Sequence, residues 1–241
     1  MSQIRLFLNL PKIIIKESFK INGKDFLYLT KVMRQKINDS ILVFNAIDGE
    51  FLANIVKINK KDLEIKIEKK VRKLIAPQKI SLIFAPVKNV RIDFLATKSC
   101  EMGVTDFYPI ITQHTIVKKI NQERFKANIK EAVEQCNRVD MAIIHPIQTL
   151  HNFLKNIKKT DLIILCNETI SYPKISDIFK NNPKYQNISI IIGPEGGFSQ
   201  EELKMMQNKP DINHITLGPR ILRCDTAAIA ALALINDNIK Y

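Results

Sequence analysis

The stretch of sequence at residues 190–199 reads IIIGPEGGFS, and it decides the fold. Three isoleucines end a predicted strand, three glycines follow within five residues, and Ser199 and Glu202 form the pattern of a capping box that opens a helix. A strand that runs through glycines into a helix N-terminus predicts a ligand site at the carboxyl edge of a parallel sheet. The alternative is a tight turn without a ligand, but such a turn needs only one or two glycines. The whole chain has seven.

A second stretch, at residues 217–228, reads LGPRILRCDTAA and repeats the pattern of strand, Gly-Pro, loop and helix. Asp225 or Thr226 is predicted to cap the helix that follows. Arg220 and Arg223 are two of only eight arginines in a lysine-rich chain. Arginine in such a background favours a planar, bidentate contact, with ordinary surface charge as the alternative.

Several classes of site are excluded by the same sequence. Neither GxxxxGK[ST] nor GxGxxG occurs, so a Walker-type phosphate loop and a Rossmann dinucleotide site are not predicted. The four cysteines are widely spaced without a CxxC pair, and the four histidines match no metal-ligand spacing. We therefore predict no metal site and no disulfide framework. Free thiols of this kind are typical of a reducing compartment.

The composition indicates a folded protein that does not cross a membrane. Of the 241 residues, 46% are hydrophobic and 25% are charged, which argues against disorder. No apolar run approaches the roughly 18 residues that span a bilayer. The sequence MSQIR at the start lacks the charged and then apolar pattern of a secretory signal. We expect a cytoplasmic protein.

The charge of the chain points to an anionic partner. The chain has 37 Lys and Arg against 24 Asp and Glu, a formal charge of +13. Residues 1–75 hold 16 basic and 8 acidic residues, so the first third is the more basic part. Nucleic acid is the partner that such a surplus favours first. The alternative is a lysine bias that comes from AT-rich coding and has no functional cause.

Two domains are predicted, at residues 1–75 and 76–241. The first reads as a small β-barrel with one helix at Lys24–Arg34, and its expected strands are Arg5–Leu8, Ile13–Ile15, Ser40–Asn45, Phe51–Ile58 and Asp62–Ile67. The second alternates strands and helices, which predicts a mostly parallel α/β sheet with both faces covered. Its expected strands are Ile80–Ala85, Phe107–Ile111, Ile143–Ile147, Leu162–Cys166, Ile188–Ile192 and Ile215–Leu217. The clearest helices are Asn121–Asn137 and the apolar Thr226–Ile235, which is predicted to be buried in the core or at a subunit interface.

Together, the two C-terminal stretches resemble the signature of the SPOUT class of RNA methyltransferases, and more narrowly the ribosomal RNA small subunit methyltransferase E family. Four further segments are similar to motifs of that family. They are Arg5–Phe7 for R-x-F, Leu29–Arg34 for L-x-x-V-L-R, Lys98–Val104 for K-A-T-E-L-G-V, and Glu134–Arg138 for E-Q-C-x-R. The resemblance therefore runs the length of the chain. One departure is Asp225, which stands where the family usually has Glu.

The resemblance implies an N-terminal PUA-like β-barrel that holds RNA and a C-terminal α/β domain with a trefoil knot. It also implies a homodimer, and S-adenosylmethionine bound by three loops of the knot. The residues of this chain that it assigns to the cofactor are Leu165, Asn167, Glu168, Gly193, Glu195, Gly196, Gly197, Leu217, Gly218, Ile221, Leu222 and Arg223. For Glu195, a role in bracing the loop and a role in catalysis are both open.

The resemblance further implies methylation of N3 of one uridine in 16S ribosomal RNA. Because N3–H is a weak acid, the site has to favour the deprotonated ring, either through a base or through cations near O2 and O4. Our hypothesis assigns Arg138 and Arg223 to electrostatic stabilisation, and Asp225 to the base if there is one. Arg5, Arg34 and Arg138 are predicted to contact RNA, either free 16S RNA or the small ribosomal subunit. The alternatives are a related methyltransferase for another RNA and a non-catalytic RNA-binding assembly factor.

Overall fold

The computed structural model describes residues 3–157, 162–167, 171–181 and 185–239. The chain divides into two compact units. Met1–Ala76 and Val133–Met141 form the first, and Pro77–Ala132 and Ala142–Tyr241 form the second. The segment that carries the E-Q-C-x-R motif therefore belongs to the same unit as the predicted barrel. The predicted domain boundary between residues 75 and 76 does not account for Val133–Met141 as a part of the first unit.

In the first unit, five strands form one sheet that curls around a single core. Along β5, Leu63, Ile65 and Ile67 are fully buried while the residues between them face outward, as a period of two requires. The sheet order is β1-β3-β4-β5-β2, with β1 parallel to β3 and the other pairs antiparallel. The strands are β1 (Arg5–Phe7), β2 (Ser18–Asn22), β3 (Ser40–Phe44), β4 (Glu50–Ile58) and β5 (Asp62–Arg72).

The predicted strand at Ile13–Ile15 is wrong. Ile13 is buried and its N–H donates to Asp48, but no ladder forms around it. Lys16 then adopts a left-handed conformation with φ 74°, which an extended strand cannot contain. The second strand of the sheet therefore begins at Ser18.

The predicted helix at Lys24–Arg34 is also altered. The chain forms α1 (Gly23–Leu27) and continues as a π-helical turn at Tyr28–Val32, in which the N–H of Met33 donates to the carbonyl of Tyr28 at 2.9 Å. The wider turn shifts the helical register. Phe26 and Leu29 are buried, whereas Met33 is 38% exposed.

The second unit is built on a parallel sheet of seven strands. Its order is β12-β10-β11-β6-β7-β8, with β9 paired to another part of β7. The strands are β6 (Lys79–Phe84), β7 (Asp106–Ile111), β8 (Ile143–Ile144), β9 (Gln148–Thr149), β10 (Leu162–Asn167), β11 (Asn187–Ile192) and β12 (Ile212–Thr216). The helices are α2 (Asn89–Glu101), α3 (Gln122–Gln135), α4 (Leu150–Lys155), α5 (Ile175–Asn181), α6 (Gln200–Gln207) and α7 (Cys224–Asn238).

The central strands are buried on both faces, which explains their continuous apolar sequences. On one face, Ile83 and Ile191 pack in a cluster with Phe153 of α4 and Met206 of α6. On the other face, the ring of Phe84 packs against Phe107 and Phe125. The fold class is thus the one that the sequence predicts. The trefoil knot that the resemblance implies stays a prediction.

Two predicted elements of this unit change in detail. The strand predicted at Ile143–Ile147 ends at Ile144, and Pro146, which has no N–H to donate to a ladder, follows shortly after it. The last helix begins at Cys224 with Arg223 as its N-cap and no side-chain cap. The prediction that Asp225 or Thr226 caps this helix is therefore wrong, and Asp225 lies inside its first turn.

The terminal helix α7 is buried on one side only. Ala228, Ala231, Leu232 and Ile235 are fully buried, because they recur at helical spacing toward the sheet. Leu234, on the opposite side, is 44% exposed. The core of this chain therefore does not bury the whole of α7.

Candidate cofactor and catalytic site

Three neighbouring parallel strands, β12, β10 and β11, end at the same edge of the sheet. A cleft lies there, lined by the end of β10 and by the loops that follow β11 and β12. The cleft has a volume of about 790 Å³ including its open mouth. Eight residues that the resemblance assigns to the cofactor line this cleft: Asn167, Gly193, Glu195, Gly197, Leu217, Gly218, Ile221 and Leu222.

Four assigned residues are placed differently. Leu165 is fully buried in the core below the cleft. Gly196 and Arg223 belong to the loops but do not line the cleft. Glu168 lies outside the described residues, so its expected role stays a prediction.

Two of the glycines make room for other protein atoms. A Cβ on Gly193 would lie 2.7 Å from Cε2 of Phe198, so the ring of Phe198 occupies the space that a side chain would need. A Cβ on Gly196 would lie 3.2 Å from Cβ of His114, whose Nδ1 lies 3.0 Å from the Gly196 carbonyl. Since a carbonyl only accepts, Nδ1 of His114 carries the proton. These glycines therefore hold the loop in shape.

Gly197 and Gly218 serve the backbone conformation. Gly197 has φ 68° and closes a turn in which its N–H donates to the carbonyl of Pro194 at 2.9 Å. Gly218 has φ 109°, and no protein atom lies within 4 Å of the point where its Cβ would be. The backbone at Gly218 is therefore open to the approach of a ligand.

The loop after β11 is anchored by the predicted capping box. Oγ of Ser199 accepts the N–H of Glu202 at 3.2 Å, and Oε2 of Glu202 accepts the N–H of Ser199 at 2.9 Å. Oε1 of Glu202 also accepts the N–H of Gln113 at 2.9 Å. One carboxylate thus holds the start of α6 to the segment that contains His114.

Two cysteines that line the cleft keep neutral thiols at physiological pH. Burial raises the pKa of Cys224 to about 12, and the nearby carboxylates of Asp225 and Glu195 add to this effect. Burial also raises the pKa of Cys166, with a smaller contribution from Cys224. Both side chains therefore present soft apolar surface rather than charge.

Sequence reasoning missed half of the cleft lining. The unassigned residues are Cys166, Ile192, Pro194, Phe198, Leu203, Arg220, Cys224 and Ala227. Most lie inside or beside the quoted motifs, so their positions were a usable signal. Leu203 could have been found at four residues beyond the Ser199 cap, where a helix returns to the same face. No local signal identifies His114, which lies far from the loop in sequence.

The charged groups beside the cleft are exposed. Arg220 and Arg223 are exposed, and within the described part of the chain neither guanidinium makes a hydrogen bond or an ion pair. Asp225 is half-buried, and its Oδ1 accepts the N–H of Thr226 at 2.9 Å. This rim can offer two cations and one carboxylate to a ligand.

The other three predicted arginines lie in the first unit. Arg138 pairs with Asp140, its Nε donating to Oδ1 at 3.1 Å, and its side chain is 11% exposed. Arg34 is exposed and left-handed, with φ 52°. Arg5, predicted to contact RNA, is only 8% exposed and donates to Glu50 and to backbone carbonyls. The geometry thus assigns Arg5 to the interior of its unit rather than to an RNA contact.

Two features are absent from the described residues: a metal-binding cluster and a membrane-spanning helix. No group of three or more His, Cys, Asp and Glu side chains there is arranged to hold a metal ion. Among the helices of the same residues, none has the length and apolar character needed to span a bilayer.

Comparison with known proteins identifies the family. The family model for an RNA methyltransferase domain matches residues 75–236, and the model for an RNA methyltransferase PUA domain matches residues 21–68. A ribosomal RNA small subunit methyltransferase E of Rickettsia conorii is 34% identical over 210 residues, which cover 86% of this chain and 84% of that protein. The chain belongs to the ribosomal RNA small subunit methyltransferase E family. The resemblance noted in the sequence is thereby confirmed.

Solved structures with the same fold agree with this family. A ribosomal RNA small subunit methyltransferase E from Neisseria gonorrhoeae superposes with a TM-score of 0.88 at 24% identity, over 99% of this chain and 98% of that one. A protein of Legionella pneumophila described as a methyltransferase, solved with the bound cofactor S-adenosylmethionine, superposes with a TM-score of 0.85 at 27% identity. It covers 98% of both chains.

Proposed function

We propose that this protein transfers a methyl group from S-adenosylmethionine to N3 of one uridine in 16S ribosomal RNA of the small subunit. The observation that carries the proposal is the cleft at the carboxyl edge of β12, β10 and β11, where the loops after β11 and β12 contain glycine, in a chain of this family. Small-subunit RNA is the substrate class in the names of the curated relatives. The choice of uridine N3 rests on the motif resemblance.

The lining of the cleft fits the chemistry of the cofactor. Apolar side chains such as Leu217, Leu222 and Ala227 suit an adenine ring, and Asn167 and Glu195 offer polar atoms for amino and hydroxyl groups. The open backbone at Gly218 allows close approach of the ligand. Ile221 is 81% exposed at the rim, where its side chain can contact a ligand or substrate.

When bound, S-adenosylmethionine supplies a methyl group on a positively charged sulfur. The protein has to lower the cost of removing the N3 proton of uracil. We assign Arg223, at the N-cap of α7, and Arg138 to the negative charge that develops on the ring oxygens. A proton acceptor, if the reaction uses one, is Asp225. Replacing Arg223 with Ala should lower the rate constant of methyl transfer by a factor on the order of 100 to 1,000 and leave cofactor affinity largely intact.

We assign RNA binding to the domain at residues 1–75 and methyl transfer to that at 76–241. The segment formed by α1 and the residues that follow it presents Lys24, Lys31, Arg34 and Lys36 to solvent, and none has an ion-pair partner within the described residues. Unpaired cations of this kind suit phosphate contacts. Arg34 also keeps a left-handed conformation that costs a non-glycine residue free energy, which supports a role for its side chain.

We further propose a cytoplasmic homodimer. Leu234 on α7 and Phe94 on α2 are 44% and 48% exposed, and the two helices pack on each other. A second copy of the chain would cover such side chains. A change of Leu234 to Lys should therefore shift the molecular mass in light scattering from dimer to monomer, whereas an unchanged mass places the interface elsewhere.

The decisive experiment combines binding with mapping. Calorimetric titration with S-adenosylmethionine should show a saturable site, and its absence would favour the non-catalytic assembly factor. A nucleoside-resolved mass map of 16S RNA from cells without the gene should lose one N3-methyluridine, which purified protein restores. An unchanged 16S map together with a methyl group lost from another RNA would favour the related methyltransferase.

A further inference from the structure

A buried arginine at the start of β1 binds the segment that carries Arg138. Nε of Arg5 donates to Oε1 of Glu50 at 2.7 Å, and Nη1 donates to the carbonyls of Val133 and Glu134 at 2.9 and 3.0 Å. Nη2 donates to the carbonyl of Arg138 itself at 2.5 Å. The guanidinium of Arg5 therefore forms one ion pair, with Glu50, and three hydrogen bonds with backbone carbonyls.

The acceptors explain why a cation lies here. Helix α3 ends at Gln135, so the carbonyls of Val133 and Glu134 are among the last four, which have no partner inside the helix. A cation at a helix C-terminus is also favoured by the helix dipole. Asn137, at φ 64°, then turns the chain so that the Arg138 carbonyl points back to the same guanidinium.

A second contact joins the same two segments. Oε1 of Glu134 accepts the N–H of Phe7 at 2.8 Å, two residues along β1 from Arg5. The motif R-x-F therefore supplies one donor from a side chain and one from the backbone. Both donors bind the E-Q-C-x-R segment, which lies more than 120 residues away in sequence.

Burying charge is expensive, and apolar residues of similar volume often fill such a site without loss of stability. Arg5 and Glu50 are each only 6% exposed in their side chains, and the other oxygen of Glu50 binds the half-exposed Arg72 at 3.1 Å. The planar fork of arginine is what four separate acceptors need, and lysine cannot replace it. This favours a role in geometry over a role in bulk stability.

We propose that Arg5 and Glu134 are positioning residues that hold Arg138 in the orientation needed for methyl transfer. Arg5 fixes the Arg138 backbone, and Asp140 aligns its guanidinium. The inference rests on the proposed function, in which Arg138 stabilises charge on the uracil ring. It also gives Arg5 a role other than the RNA contact expected from sequence.

The test is a double-mutant cycle on kcat at saturating RNA and cofactor. We expect Arg138→Ala to lower kcat by about 100-fold or more. Arg5→Lys keeps the charge but loses the fork, and we expect a loss of about 10- to 100-fold, because misplacing a reacting group by about 1 Å has effects of that size. The double variant should be no slower than Arg138→Ala alone, and calorimetry should give an unchanged Kd for S-adenosylmethionine in all three.

The matched control is Arg72→Ala, which removes the other partner of Glu50 and leaves every acceptor of the Arg5 guanidinium in place. Its kcat should stay within about twofold of the parent protein. If Arg5→Lys does not fold, Glu134→Ala takes its place in the cycle, and Glu134→Gln should restore kcat because its amide oxygen still accepts the Phe7 N–H.

Each outcome bears on one proposal. A kcat of Arg5→Lys equal to the parent's, or losses that multiply in the double variant, would overturn the positioning role. Full activity of Arg138→Ala would overturn it as well. A parent protein that binds cofactor but methylates no 16S RNA would instead contradict the proposed function.

Discussion

Gly218 adopts a backbone conformation that strains any residue with a Cβ atom. Its φ of 109° lies outside the left-handed helical region that Asn or Asp can adopt. No protein atom lies near the position of its absent Cβ, so a substitution there meets strain but no clash. The cost of a side chain would therefore come from the backbone and from any ligand in the cleft.

We predict that Gly218→Ala lowers the free energy of unfolding by about 1–3 kcal/mol and weakens S-adenosylmethionine binding by at least about tenfold. Gly23→Ala is the matched control, because Gly23 also has a positive φ with free space around it but lies in the first unit. Urea unfolding and calorimetry measure the two effects. Equal cofactor affinity in both variants would show that the cleft does not need the Gly218 backbone.

The two cleft thiols predict a dependence of stability on pH. Burial raises their pKa above the ordinary value of 9.0, and that of Cys224 to about 12. The folded state therefore binds protons that the unfolded state releases above pH 9. This contribution to stability is fully present below pH 9 and is lost as the pH rises toward 12.

From pH 9 to pH 10, the free energy of unfolding should fall by about 1 kcal/mol less in Cys224→Ala than in the unchanged protein. Urea unfolding at each pH measures the difference. Cys136→Ala retains both cleft thiols and should keep the full slope. Identical slopes in all three proteins would mean that Cys224 does not resist ionisation.

Among the elements, α6 was predicted closely because its start depends on neighbours in sequence. The capping box at Ser199 and Glu202 forms as expected. The contact of Glu202 with the N–H of Gln113 is not visible in the sequence, since it joins segments 89 residues apart. Most strands were predicted well because their hydrophobic periodicity is a local pattern. The π-helical turn at Tyr28–Val32 was not predicted, because no periodicity in the sequence indicates it.

We predict that Glu202→Ala costs more than Ser199→Ala. Loss of the Ser199 cap should lower the free energy of unfolding by about 1 kcal/mol. Loss of Glu202 also removes its hydrogen bond with the exposed Gln113 N–H, which should add about 0.5–1.5 kcal/mol to the cost. Glu201→Ala, at an exposed neighbour in the same turn, should change little. Urea unfolding of the three variants gives the order, and a larger effect for Ser199 would contradict the bridging role of Glu202.

For the whole molecule, the charge of +13 bears on binding to RNA rather than on the fold. Much of this charge is diffuse lysine that any polyanion would attract. Cations already paired with carboxylates on the protein, such as Lys180 with Asp177, should contribute least. Unpaired cations such as Arg34 should contribute most.

Arg34→Ala should reduce the slope of log K against log salt for a 16S RNA fragment by about 0.7–0.9, the value for one phosphate contact. Lys180→Ala removes the same formal charge, so it tests whether net charge alone matters. Filter binding at several salt concentrations measures both slopes. Equal changes in the two variants would show a diffuse attraction without a contact at Arg34.

The sequence by itself determined the class of fold, the glycine loops and the family, because strand and helix periods, caps and turn residues act over a few neighbouring residues. It also predicted a ligand site at the carboxyl edge of the sheet, since neighbouring parallel strands end at one edge. Only the tertiary structure decided which distant residues meet, such as His114 with Gly196 and Arg5 with the Arg138 carbonyl. Those contacts span 82 and 133 residues, and no local pattern encodes them, because their geometry exists only once the chain has folded.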